Sequence, residues 1–375
     1  MPGSLLSRLR LRLRLRLRGG LGAEAPALSV PPLAAEGMMG RRLPAGAVPA
    51  RVLVIRLHAF GDTAITLPAI AALRDRLPGS RLEVLTDVQS AGVFSGRTDV
   101  DAVWTTDTRR GSVALAAALW RLSRALAAPP LAAVVDLQRS RWSVALTRKL
   151  APPAWVAFDR FAPQSALTRY LDALAWIGFG ALEARCESRL RRAEVAVAGE
   201  LLASAGRDPG RPLVCLNPAG GWPTKRWPVE RYLSLGMQMR RQGWQLMLLG
   251  SRPAAAGLER LRGALAPEVL DFVGRTTPAQ AAALLGSTSL IISDDSGLMH
   301  LAWAQGVPTV AMFGASRAVW SRPEGRHSHV FASEDLACGA CMRPECRRGD
   351  LWCLDRVSVD EVLAAGAALC GRAGA

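Results

Sequence analysis

Ser293-Asp294-Asp295-Ser296-Gly297-Leu298-Met299-His300 follows the apolar run Leu290-Ile291-Ile292 and leads into Leu301-Ala302-Trp303-Ala304-Gln305. The whole reads as strand, tight turn, helix, with the turn where the helix begins. Asp or Ser at that point caps free backbone N–H groups, glycine permits close backbone approach, and the dipole of the first turn favours an anion. Ser296 and His300 are four apart and face the same way. A phosphate on this terminus would meet backbone N–H groups, a hydroxyl and an imidazole together. The plainer alternative makes Asp295 and Ser296 ordinary caps and His300 a satisfied, half-buried side chain.

Around this stretch, strand and helix patterns alternate. Pro212–Leu216 reads as a strand, Pro228–Gln242 as a helix, Trp244–Leu249 as a strand, Pro278–Gly286 as a helix and Thr309–Phe313 as a strand. An earlier series opens at Arg51-Val-Leu-Val-Ile-Arg56-Leu57, a buried-strand pattern. It continues through His58-Ala-Phe-Gly61-Asp62-Thr63, a glycine turn with Asp62 at a helix start, into an Ala/Leu-rich helix to about Leu77. Pro68 either lies in the first turns of that helix or kinks it. Arg81–Thr86, Ala102–Thr105 and Ala132–Leu137 are further strands, and a mixed, Arg-rich helical region runs from about Gln164 to Ala205. Such alternation predicts parallel sheets covered by helices on both faces. Two doubly wound α/β units, 51–205 and 206–375, place a ligand cleft between them at the carboxyl ends of strands.

The 375 residues are half hydrophobic, enough for two cores. The Ala/Leu-rich stretch Ser112–Val135 is interrupted by Arg121, Arg124 and Pro129-Pro130, so no apolar run reaches membrane-spanning length. Of the net charge of +16, residues 1–50 supply +6. The remainder is spread along the chain and fits anionic ligands or a membrane surface as well as nucleic acid. Residues 8–18 alternate Arg and Leu, and Gly, Ala and Pro follow to Ala50. Residues 1–50 are expected to be a disordered tail, or translation upstream of a start near Met38 or Met39; the functional alternative is an arm that binds anionic lipid.

Lys149 and Lys225 are the only lysines among 47 basic residues. Lysine is a compact point charge that arginine does not replace, which draws attention to Asn217-Pro-Ala-Gly-Gly-Trp-Pro-Thr224-Lys225-Arg-Trp-Pro228. This loop leaves the first strand of the second unit, and Pro228 suits the first position of the next helix. Lys225 is expected in the same cleft as the Asp295 turn, able to neutralise a pyrophosphate, unless it is merely a solvated loop residue.

Three segments taken together, Arg56 to Asp62, Asn217 to Pro228 and Asp295 to His300, resemble the family 9 glycosyltransferases, the ADP-heptose:lipopolysaccharide heptosyltransferases. The similarity runs from about Arg51 to Ala364 in matching order, through Ala133-Val-Val-Asp136-Leu-Gln138 with Arg141, Phe272-Val-Gly274-Arg-Thr, and Gly306-Val-Pro308 to Phe313-Gly314. The resemblance implies a GT-B fold, two Rossmann-like domains facing across a cleft, with acceptor on the N-terminal side and nucleotide sugar on the C-terminal side. It implies inverting transfer of heptose from ADP-heptose to an acceptor hydroxyl of the lipopolysaccharide inner core. By this match Asp62 is the general base, and a carboxylate suits that role because the attacking hydroxyl must lose a proton. Thr224, Lys225, Asp295, Ser296, Gly297, Leu298 and His300 hold the ADP side, where backbone N–H groups and cations meet the departing charge. His58, Gln138 and Arg141 fall on the acceptor side. His58-Ala59 stands where family members commonly have Ser-Ser. The partners implied are ADP-heptose and a lipid-linked saccharide, with no nucleic acid. The place implied is the cytoplasm, with the basic surface available to the inner membrane.

Cys338-x2-Cys341-x4-Cys346-x6-Cys353 gathers four of seven cysteines. The spacing suits thiolate ligation of structural zinc or iron, against free or oxidisable thiols; no metal or other cofactor is expected in the transfer chemistry. His327 and His329 read as loop residues, and Cys186, Cys215 and Cys370 as small core residues. Two other functions fit the same pattern: the same fold glycosylating a protein or another glycan, and a metal-dependent binding module on an inactive GT-B scaffold.

Overall fold

A computed structural model of the chain describes residues 37–373. The tail, upstream translation or lipid-binding arm expected of residues 1–36, the Arg/Leu repeat included, lies outside the described residues. Twelve strands form two six-stranded sheets. The first contains β1 (Met39–Arg41), β2 (Arg51–Ile55), β3 (Arg81–Asp87), β4 (Ala102–Thr106), β5 (Ala133–Asp136) and β6 (Ala154–Ala157), in the order β1-β6-β5-β2-β3-β4. The second contains β7 (Leu213–Asn217), β8 (Gln245–Leu248), β9 (Leu270–Asp271), β10 (Leu290–Asp294), β11 (Thr309–Met312) and β12 (Ser328–Phe331), in the order β12-β11-β10-β7-β8-β9. Counted from β7, this is the 3-2-1-4-5-6 order of a doubly wound sheet, whose crevice opens where the order reverses. Every residue of β2, β5, β7, β10 and β11 is buried, which is why those segments read as unbroken apolar runs instead of alternating ones.

The helices of the first half are α1 (Phe60–Ile65), α2 (Leu67–Arg76), α3 (Ser112–Leu126), α4 (Arg141–Leu150), α5 (Ala166–Leu174) and α6 (Arg192–Ser204). Those of the second are α7 (Val229–Arg241), α8 (Glu259–Leu265), α9 (Pro278–Gly286), α10 (Gly297–Ala304), α11 (Ala318–Ser321), α12 (Trp352–Asp355) and α13 (Val359–Ala373). None of the helices searched among the described residues is long and apolar enough to cross a membrane.

Three expectations change. Ordered structure begins ahead of Arg51: β1 pairs antiparallel with β6, Met38 and Met39 are buried, and Leu43 donates its N–H to Ile177 O at 2.8 Å. A three-residue edge strand held by tertiary pairing leaves no periodicity to read. Pro68 does not kink one helix; the chain divides at Thr66 into α1 and α2, with Pro68 in the first turn of α2 where its missing N–H costs nothing. The region 164–205 is two helices separated by extended chain at 180–191, which bridges to Thr98 by a backbone bond from Thr98 N–H to Arg189 O at 2.8 Å.

One hydrophobic cluster runs through both halves, from Val52 and Val84 to Leu213, Leu284 and Trp303, with α6 packed on α9. Helix α1 of the first unit packs directly against α10 of the second. Two glycines permit that contact. A Cβ on Gly61 would lie 3.1 Å from His300 Cδ2, and one on Gly297 would lie 2.5 Å from the Phe60 ring. Any side chain at Gly297 forces the helix ends apart. The amino ends of α1 and α10 are therefore held face to face.

Candidate active site

A cleft of about 790 Å³ lies between the two sheets, lined from both sides. On the first side, β2 ends at Ile55 and the chain turns through Arg56–Ala59 before α1 starts. Asp62 falls in the first turn of α1, its carboxylate 46% exposed toward the cleft. Arg56 Nη2 stands 2.6 Å from Asp62 Oδ2 and Arg56 Nη1 donates to Leu137 O at 2.6 Å, so a buried guanidinium fixes where the carboxylate points. Burial opposes the Arg56 charge, but Tyr170, Asp62 and Asp136 hold it protonated above its ordinary range. Gln138, two residues past β5, accepts from the N–H groups of Leu57 (3.1 Å) and His58 (3.3 Å), and its Nε2 lies 3.4 Å from His58 Nε2. Desolvation, then the charge of Arg56, lowers the His58 pKa and favours neutral imidazole.

Opposite, Ser296 caps α10 by accepting the Met299 N–H at 3.3 Å. Asn217 at the end of β7 donates to Ser293 Oγ (2.9 Å) and Ser296 Oγ (2.6 Å), tying the two crevice strands at their carboxyl ends. Lys225 Nζ lies 2.7 Å from Asp295 Oδ2, and 4.8 Å from the centre of the Trp222 ring. Asp295 also accepts from Ser316 Oγ at 2.5 Å and faces His300 Nε2 at 3.5 Å. Burial would raise the Asp295 pKa, yet the hydrogen bonds and charges of His300 and Lys225 hold it far below the carboxylate range. It is thus a permanent anion that positions two cationic or donor groups. His300 is buried, and its Nδ1 has no hydrogen-bond partner among the described residues.

Asp294, one residue earlier, faces the other way. Its Oδ1 accepts from Trp227 N–H and Tyr232 Oη, both at 3.0 Å, and its Oδ2 from Gly220 N–H at 3.1 Å. One buried carboxyl therefore pins both ends of the loop that carries Lys225. Desolvation pushes its pKa up to about 7, against the effect of those donors. An acid so raised binds more protons folded than unfolded, so its contribution to stability is greatest below the unfolded value near 3.9 and is lost as pH rises to about 7. Asp294→Asn should remove this component. Urea unfolding between pH 5 and 7 should show the wild-type stability falling relative to the variant by up to about 1.4 kcal/mol per pH unit; parallel profiles would refute the assignment.

The cleft brings together Asp62, His58 and Gln138 on one side and Lys225, Asp295, Ser296, Gly297 and His300 on the other. Two expected ligands, Thr224 and Arg141, point elsewhere, and Leu298 offers only the backbone N–H expected of it. Thr224 is buried, donating to Arg343 O at 2.5 Å and accepting Ala315 N–H, so it braces the loop. Leu298 packs its side chain on the core, leaving only its backbone at the helix terminus. Arg141 is the first residue of α4, exposed, with its guanidinium 4.8 Å from the Trp142 ring and outside the cleft. The turn there uses Arg139, at φ 46°, to reach Gly37 O and Phe158 O. The cleft instead receives Arg160 and Arg169 from beyond β6, and Arg317 beside Trp320. No spacing signalled them, because they come from loops and α5 brought in by the sheet.

Cys338 and Cys341 are exposed, Cys346 and Cys353 half-buried, and all four are free thiols. Backbone N–H groups of Leu351, Arg348 and Gly349 lower the Cys346 pKa; burial and the charges of the other three raise that of Cys353. The four are neighbours, yet among the described residues no three His, Cys, Asp or Glu side chains are arranged to hold a metal. His329 is not a loop residue: it lies in β12, its ring 4.7 Å from that of Phe331. His327 precedes the strand, its Nε2 3.1 Å from Trp303 O.

A family model described as glycosyltransferase family 9 (heptosyltransferase) matches residues 122–351. The chain is 28% identical over 318 residues to lipopolysaccharide heptosyltransferase 1 of Pseudomonas aeruginosa, covering 79% of this chain and 87% of that protein. Among solved structures it is similar to a family 9 glycosyl transferase from Veillonella parvula, with a TM-score of 0.74 at 22% identity over 86% of this chain and 97% of that one. It is also similar to E. coli ADP-heptose LPS heptosyltransferase II, with a TM-score of 0.67 at 20% identity over 87% of this chain and all of that one. At such identities the structural likeness speaks for the fold, two Rossmann-like domains facing across a cleft in the GT-B arrangement.

Proposed function

The chain belongs to glycosyltransferase family 9, and from that premise we propose that its cleft moves heptose from ADP-heptose to an acceptor hydroxyl of the lipopolysaccharide inner core, with inversion. The observation that carries the reading is the pairing, across one cleft, of a partly exposed carboxylate at Asp62 with a cationic helix end at Lys225 and Ser296–His300. The names of the relatives support donor and acceptor.

In this scheme the acceptor oxygen attacks the anomeric carbon as the bond to the β-phosphate oxygen breaks. Asp62 takes the hydroxyl proton, and Arg56 keeps its carboxylate turned to the cleft. The departing ADP gains negative charge, which Lys225, the N–H groups at the start of α10 and His300 meet. His300 Nδ1, buried without a hydrogen-bond partner among the described residues, is available for a phosphate oxygen. His58 and Gln138 contact the acceptor, and Arg160, Arg169 and Arg317 suit an anionic one. The division at about residue 205, with acceptor bound before it and nucleotide sugar after it, belongs to the same proposal. So does a cytoplasmic enzyme working on a lipid-linked saccharide at the inner membrane. A structural zinc or iron at Cys338, Cys341, Cys346 and Cys353 is supported by their spacing and proximity; it requires the thiols to turn inward and takes no part in transfer.

Incubation with ADP-heptose and heptose-deficient inner core should release ADP in step with heptosylated product. ADP-heptose hydrolysis without product, or turnover only with another nucleotide sugar, would overturn the assignment.

A further inference from the structure

Helices α3 and α4 cover one face of the first sheet, and their inner sides are ordinary core: Leu115, Leu119, Leu126 and Leu146 pack with Leu53, Ile55 and Val134. Their outer sides are not ordinary surface. Val113 is 85% exposed and Trp120 50% exposed, with Ala114, Ala116 and Ala117 exposed beside them. Val113, Ala117, Trp120 and Arg124 fall at i, i+4, i+7 and i+11, one straight outward stripe directly opposite the core stripe. A continuous apolar stripe facing water marks a surface that is covered in use.

The charge around it is of one sign. Neither α3 nor α4 contains an Asp or Glu. Arg121, Arg124, Arg141, Arg148 and Lys149 are exposed on them, and none forms an ion pair among the described residues. Arg124 lies 5.0 Å from the Trp120 ring centre, and Arg141 4.8 Å from that of Trp142. The face carries small apolar residues, the exposed Trp120 ring and guanidinium groups without ion pairs among the described residues. It matches the layered chemistry of a bilayer interface, where rings and methyl groups sit among the acyl boundary and arginines reach phosphates.

We propose that α3, flanked by the basic face of α4, lies in the plane of an anionic lipid surface and docks the enzyme on it. This deepens the proposed function and rests on its lipid-linked acceptor. The loop entering α3 leaves the carboxyl end of β4, the same edge of the sheet that carries Asp62 and Gln138, so docking there sets the cleft beside the membrane. Exposed Arg141, displaced from the cleft, finds a use in this surface, as does Lys149.

The test is co-sedimentation of the full chain with vesicles of phosphatidylcholine alone or mixed with phosphatidylglycerol. Binding should require phosphatidylglycerol, weaken with salt, and fall at least about ten-fold in the Val113→Ser/Trp120→Ser double variant, and again in Arg121→Gln/Arg148→Gln. Both variants change exposed positions, and an unchanged melting curve verifies the fold. Hydroxyl-radical footprinting of Trp120 should show protection on mixed vesicles. Undiminished binding by the double variant would assign adhesion to another surface, such as the Arg-rich amino terminus, and overturn the proposal. So would dimerisation through this face or an unprotected Trp120. Turnover of a delipidated, soluble acceptor tests the proposed function separately and should be unchanged in the double variant.

Discussion

Asp62→Asn should lower kcat by about 10³-fold, within the range by which a positioned general base accelerates proton transfer, and leave the KM for ADP-heptose near its original value. The substitution keeps size and one acceptor oxygen, so Arg56 retains a hydrogen-bond partner in place of its 2.6 Å ion pair. What is lost is the ability to take a proton. The split between kcat and KM matters because Asp62 stands on the opposite wall from Lys225 and α10, the wall proposed to hold the donor. Steady-state ADP release at saturating donor gives kcat, and a thermal melt shows that the fold persists. Turnover within ten-fold of wild type would remove Asp62 from the role of base.

Lys225→Met should lower kcat/KM for the donor by about 10²- to 10³-fold, the scale found when one preorganised contact to a developing oxyanion is deleted. A second effect adds to the first. Lys225 is paired with Asp295, a carboxylate 7% exposed and held ionised by its neighbours. Removing the ammonium leaves that anion facing the proposed pyrophosphate site with one cation fewer, and truncating one member of a buried pair costs more than the pair contributed. Lys225→Met/Asp295→Asn should therefore recover about ten-fold over the single lysine variant, a non-additivity expected of groups that act together. Lys225→Arg should not restore full activity, since a planar fork cannot occupy the place of a point charge stacked on Trp222 and bonded to Asp295. Simple additivity in the double variant would refute the coupling of Asp295 to Lys225.

Much of the architecture was legible because buried parallel strands leave a plain mark. Val52–Ile55, Leu213–Leu216 and Leu290–Ile292 are unbroken apolar runs leading to turns rich in Gly, Asp and Ser, and the observed strands lie within two residues of the readings. Short or edge strands left no such mark: β1, β9 and β12 are held by pairing with neighbours and carry little pattern of their own. Within the site, Asp62, Lys225, Ser296 and His300 could be named because each occupies a helix start or a loop of unusual composition. Thr224 and Arg141 misled for one reason: adjacency in a motif does not set the direction of a side chain. Thr224 turns into a backbone brace, and Arg141 starts a helix that carries it away from the cleft.

By itself the sequence determined the two doubly wound units and the family, because these depend on local pattern: apolar runs, caps, and the order of three loops. Tertiary structure alone decided that Asp62 is clamped by Arg56, that Asp295 serves as anchor to Lys225 and His300, and that Gly61 and Gly297 bring two helix ends together. It also decided which face of α3 meets water. Pairings between residues tens or hundreds of positions apart arise only when the sheets close. Their strength then depends on burial and distance, quantities that no stretch of sequence carries.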